Sequence, residues 1–122
     1  MKRNPNSGKN RMIRINDEIL REVANIVRSE IKDHRVGSMV SVVKVDTTND
    51  LKYCKIFVSV LGESQEQKEE VMQGLKNASG FVRKQLAERI NLRSTPEIKF
   101  VLDDSLEYSM KITKLINEVN KQ

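Results

Sequence analysis

From Glu63 to Ile90 the chain is patterned as helix, yet a glycine stands inside that stretch, and the interruption limits what can be built around it. Val71, Met72 and Leu75 make one apolar stripe, and Phe81, Val82, Leu86 and Ile90 make a second, with Ala78-Ser79-Gly80 between them. Glycine inside a helix costs about 1 kcal/mol relative to alanine, because the backbone gives up more freedom there. Two helices meeting at a kink are therefore expected in place of one straight rod. Pro96 allows no helix through residues 94–96, since proline removes a donor and clashes with the preceding turn.

The flanking segments fill in the rest. From about Arg11 to Asp33 the residues Ile19, Leu20, Val23, Ala24, Val27 and Ile31 recur at helical spacing, which predicts one buried stripe. Asn16 is a candidate N-cap with Asp17 and Glu18 in the first turn, while Ile13 and Ile15 leave open a start near Arg11. Valine-rich residues 39–46 and alternating residues 51–60 predict an antiparallel hairpin across the turn Thr47-Thr48-Asn49-Asp50. In the second strand Cys54, Ile56, Val58 and Val60 share one face, and Tyr53, Lys55, Phe57 and Ser59 the other. Residues 97–102 form a third strand with Ile98, Phe100 and Leu102 inward. Its long helical crossover allows it to lie parallel to a neighbour. Ser105 is a candidate cap for a last helix, whose apolar side is Leu106, Met110, Leu115, Ile116 and Val119. The expected fold is α+β: a three-stranded sheet with helices on one face, preceded by a flexible basic tail over residues 1–10.

A chain of 122 residues is one domain, able to bury a real core. Its single cysteine, Cys54, can form no internal disulfide, and no apolar run approaches a membrane span. The basic N-terminus lacks the apolar stretch of a secretory signal, so the expected location is the cytoplasm. The net charge of +5 is unevenly placed. Lys2, Arg3, Lys9, Arg11 and Arg14 precede the first acid, Asp17, after which basic and acidic residues balance at 17 each. Within that balance Glu63–Glu70 is acidic, whereas Lys76–Arg93 carries five cations and only Glu88. One positive face is expected, of the kind that meets phosphates.

Little points to catalysis. His34 is the only histidine and falls in a loop, and Cys54 sits on the inward face of a strand, where a small buried apolar role suits it. Asp103, Asp104 and Glu107 are the one acidic cluster able to attract a cation, but their place at the start of a helix accounts for them. No glycine-rich phosphate loop is present, and no three- or four-ligand metal pattern.

The order helix–strand–strand–helix–helix–strand, with a small residue and a glycine at the central joint, resembles the type II arrangement of KH RNA-binding domains, whose joint is normally Gly-x-x-Gly. Here it is Asn77-Ala78-Ser79-Gly80. The closer resemblance is to the ribosome-binding factor A family, in which that loop is an Ala-x-Gly kink, here Ala78-Ser79-Gly80 followed by Phe81-Val82-Arg83. Asp33-His34-Arg35-Val36-Gly37 (with His34 where proline is common), the hairpin from Asn49 to Val58, Leu92 to Phe100, and Asp103 to Glu107 resemble further family motifs in the same order. The resemblance implies a KH-like monomer without a cofactor. It implies binding to immature 30S subunits near the neck and decoding region, not to 70S ribosomes. It also implies support for late 16S rRNA folding and precursor-end processing, most needed in the cold.

With that family match, the charge map and the kink nominate Arg11, Arg14, Ala78, Ser79, Gly80, Arg83, Lys84, Arg89 and Arg93 as one continuous RNA surface. Tyr53 and Phe57 beside Lys55 could stack bases, although packing is the commoner use of such residues. Two other readings stay open: a different KH-like RNA-binding module, and a protein adaptor docking through Glu63, Glu66, Glu69 and Glu70.

Overall fold

The computed structural model describes residues 7–31, 40–61, 64–103 and 105–120. The chain runs α1 (Ser7–Ser29), β1 (Val40–Thr47), β2 (Tyr53–Val60), α2 (Gln65–Asn77), α3 (Ser79–Arg89), β3 (Glu97–Leu102) and α4 (Ser105–Asn120). The sheet order is β1-β2-β3, with β1 antiparallel and β3 parallel to the central strand. The parallel pairing follows from the long α2–α3 crossover.

The inward face of β2 is the centre of the core. Cys54, Ile56, Val58 and Val60 are all buried, and they meet Ile19, Val23, Ile26 and Val27 of α1, Val71 and Leu75 of α2, and Val82 and Leu86 of α3. Ile98 and Phe100 extend the same layer from β3. Burial pushes the Cys54 thiol above its ordinary pKa, against the smaller pull of the Thr47 hydroxyl, which donates to its sulfur at 3.4 Å.

β1 keeps Val42 and Val45 on its inner face by a device that strict alternation would miss. Its pairing passes from Val42↔Val58 to Lys44↔Phe57, so Val43 is an extra residue bulged out of the ladder. A bulge reverses the facing of the residues beyond it. Lys44 consequently points outward, its Nζ 5.7 Å from the centre of the Phe57 ring, while Val45 and Thr47 turn into the core.

The β1–β2 turn is tightened by side chains. The Thr48 hydroxyl donates to the Asp50 carboxylate at 2.7 Å and accepts the Tyr53 N–H at 3.1 Å. With the Lys52 N–H at 3.0 Å, the Thr48 contact holds the exposed Asp50 carboxyl below the usual carboxylate pKa. Leu51 adopts φ 60° with its side chain 5% exposed. A left-handed L-residue is strained by roughly 1–2 kcal/mol, offset here by burial. Leu51→Gly is therefore expected to be more stable than Leu51→Ala by about 1 kcal/mol in urea denaturation, reversing the usual order of these two residues.

Two expected boundaries differ. α1 begins at Ser7, so residues 7–10 of the expected tail are helical, and residues 1–6 lie outside the described set. Asn16 sits inside the helix and caps nothing. Its Oδ1 accepts the Thr47 N–H at 3.1 Å, fastening α1 to the end of β1. α4 forms as expected, but Leu115, Ile116 and Val119 are exposed. Gly37, His34, Glu63, Asp104 and the side chains of Leu106, Glu107 and Met110 fall outside the described residues.

Candidate nucleic-acid interface

Arg11, Arg14, Ile15 and Glu18 occupy one face of α1 through their three- and four-residue spacing. The segment after α3 passes beside that face. Together they enclose a cleft of about 310 Å³ lined by Arg11, Arg14, Ile15, Glu18, Leu51, Asn91, Leu92 and Arg93. Tertiary folding thus gathers three of the nominated arginines, 82 positions apart at the extremes of the sequence (Arg11 and Arg93), around one opening. All three are exposed, and none makes an ion pair among the described residues. Among the described residues Glu18 is the only carboxylate in the lining. Convergent guanidinium groups without partners are suited to bidentate contacts with phosphate oxygens.

The kink has a different origin from the one the glycine suggests. Ala78 closes α2 and opens α3 with φ −88° and ψ −1°, and its N–H is shared between the Gly74 and Leu75 carbonyls, both at 3.1 Å. Ser79 reinforces the bend by donating its hydroxyl to the Leu75 carbonyl at 3.3 Å. Gly80 has no positive φ, and a Cβ built on it would meet nothing within 4 Å. No side chain caps α3, so its first-turn N–H groups are available to an outside acceptor. Gly80→Ala should raise the urea midpoint, by up to about 1 kcal/mol of stability. A fall would show that the bend itself requires glycine.

The remaining nominated cations divide. Lys84 is exposed and makes no ion pair among the described residues. Arg83 is exposed too, but its Nη2 donates to the Thr95 carbonyl at 3.1 Å and steadies the segment that carries Arg93. Arg89 does not fit a free RNA contact. Its Nη1 lies 3.4 Å from Glu22 Oε2 and its Nη2 3.4 Å from Glu30 Oε1, so its charge is already matched and it clasps α3 to α1. The nominated residues therefore fall mainly into two areas, the arginine cleft beyond the C-terminal end of α3 and the kink at its N-terminal end, with Lys84 midway along the helix. An eleven-residue helix separates them by about 16 Å.

Among the described residues no group of three or more His, Cys, Asp or Glu could hold a metal ion, and no helix is long and apolar enough to cross a membrane. On the outer sheet face Tyr53 is 57% exposed, while Phe57 is half-buried beside Lys44.

A mixed three-stranded sheet backed by α1 and a kinked helix pair, in the order α–β–β–α–α–β, defines a KH-like domain carrying a fourth helix at its C-terminal end. Within that class the chain belongs to the ribosome-binding factor A family, whose model matches residues 11–116. Ribosome-binding factor A of Lachnospira eligens is 53% identical over 116 residues, covering 95% of this chain and 87% of that protein. The crystal structure of ribosome-binding factor A from Thermus thermophilus superposes with a TM-score of 0.66 at 20% identity, over 75% of this chain and 94% of that one. Thermus thermophilus coordinates fitted into a cryo-electron microscopy map of a complex with 30S subunits give 0.60 at 19% identity, over 73% and 91%.

Proposed function

We propose that this chain is a small-subunit maturation factor that binds 16S rRNA in free or immature 30S subunits and supports late rRNA folding and precursor-end processing. It acts in the cytoplasm as a monomer and without a cofactor, and its contribution is greatest in the cold. The observation that carries the reading is the convergence of Arg11, Arg14 and Arg93 on one cleft, uncompensated by ion pairs among the described residues, in a member of a family with a relative fitted into a 30S complex. Three guanidinium groups lining one opening suit the dense negative charge of an RNA backbone, and no described residue of the lining resembles a nucleophile with its base. The sequence before Arg11 adds three further cations, Lys2, Arg3 and Lys9.

The test is sedimentation of a cell extract on a sucrose gradient, followed by depletion of the protein. Association with free 30S particles, absence from 70S ribosomes, and accumulation of unprocessed 16S precursor on depletion are the expected results. Distribution across all ribosomal peaks, or normal rRNA ends after depletion, would overturn the proposal.

A further inference from the structure

At the kink, away from the arginine cleft, a second opening of about 580 Å³ lies between the end of α1, the end of α2 and the first turns of α3. Its lining is Glu30, Ile31, Gly74, Asn77, Ala78, Phe81 and Gln85. We infer that this cleft is the seat of a single unpaired nucleobase of the RNA partner, a deeper reading of the interface that rests on the function proposed above.

The chemistry of the lining selects that occupant. Phe81 is 41% exposed, although the second apolar stripe of the helical stretch would place it in the core. Its ring is presented at the cleft, where a base can stack on it. Two primary amides flank it. Asn77 Oδ1 already accepts from Gln73 Nε2 at 3.0 Å, which leaves the Asn77 amide N–H groups to point elsewhere. The Gln85 side chain has no hydrogen-bond partner among the described residues, so both its donor and its acceptor are available. Amides beside an aromatic face form the recurring apparatus for reading an unstacked base edge.

The electrostatics argue for a base in this position and against a phosphate. Among the described residues Glu30 is the one charged group in the lining, and a carboxylate repels phosphate oxygens. It can instead accept from an exocyclic amine, as on cytosine, adenine or guanine. Arg89 Nη2 fixes Glu30 Oε1 at 3.4 Å, which orients the carboxylate before the ligand arrives. Gly80, immediately before Phe81 in the first turn of α3, leaves open space where any other residue would set a Cβ. A sugar–phosphate backbone can therefore approach the kink closely while its base enters the cleft.

Binding of wild type, Phe81→Ala and Gln85→Ala to 30S subunits from depleted cells, combined with dimethyl sulfate probing of the rRNA, tests the inference. Both positions are at least partly exposed, and circular dichroism will verify that the variants fold. Phe81→Ala is expected to weaken binding about tenfold, the usual loss of one stacked base, with the salt dependence unchanged. One unpaired base protected by wild type should become reactive again in both variants. Wild-type affinity in both, or weaker binding with an unaltered protection pattern, would overturn the inference; the second outcome would indicate a ribosomal protein side chain in the cleft. Failure of wild type itself to bind 30S subunits would instead reject the function on which the inference rests.

Discussion

Replacing Arg11, Arg14 and Arg93 together by alanine should lower affinity for 30S subunits on the order of a hundredfold at about 0.1 M salt, because each guanidinium lost removes one charge-assisted phosphate contact. A second readout separates this from damage to the fold. The logarithm of the binding constant falls with the logarithm of salt at about 0.7 per phosphate neutralised on a single strand, so the triple variant should have a slope shallower by about 2. Filter binding at four or five salt concentrations measures both quantities. The three side chains are exposed and make no ion pairs among the described residues, so the melting temperature should hardly move. Arg89→Ala is the matched control. Its charge is already committed to Glu22 and Glu30. Its loss should leave the salt slope unchanged and cost no more than about 1 kcal/mol of stability, the range of partly exposed ion pairs. A triple variant with the wild-type slope would remove the cleft from the RNA interface.

The contrast between Arg89 and Arg93 shows where sequence patterning stops being informative. Periodicity located the four helices and three strands found among the described residues, because one face of each must be apolar whatever it packs against. The inward face of β2 follows from the same logic, and the parallel placement of β3 from the length of the helical crossover before it. Which cations remain free depends on meetings between distant residues. Arg89 pairs with carboxylates 67 and 59 positions earlier in the chain, and no local pattern announces that. The bulge at Val43 was hidden for a related reason: four valines in six residues fit either facing, and only the pairing with β2 decides. Glycine in the kink was a true signal of a break, but the turning residue is Ala78, two positions earlier, whose conformation any L-residue can adopt. The start of α1 was masked by composition, since Ser7, Gly8 and Asn10 are weak helix formers that tertiary context carries along.

Leu86→Ala is expected to destabilise the protein by about 3 kcal/mol, whereas Phe81→Ala, drawn from the same sequence stripe, should cost about 1 kcal/mol or less. Leu86 is fully buried where α3 lies over the sheet and against α1, so truncation leaves a hole that the rigid strands beneath cannot close. Phe81 is 41% exposed at the lip of the cleft by the kink. Both lie on α3, but five residues turn about 140° around an α-helix, so Phe81 falls off the face that Val82 and Leu86 turn to the core. Urea denaturation of the two variants measures the difference directly. Against a total stability of about 5–15 kcal/mol for a domain of this kind, the Leu86 loss should also shift the melting temperature by several degrees, while subunit binding by the fraction still folded stays at the wild-type level. If Phe81→Ala proved as costly as Leu86→Ala, the ring would be a core residue, and the kink would serve to close the helical layer in place of presenting a surface.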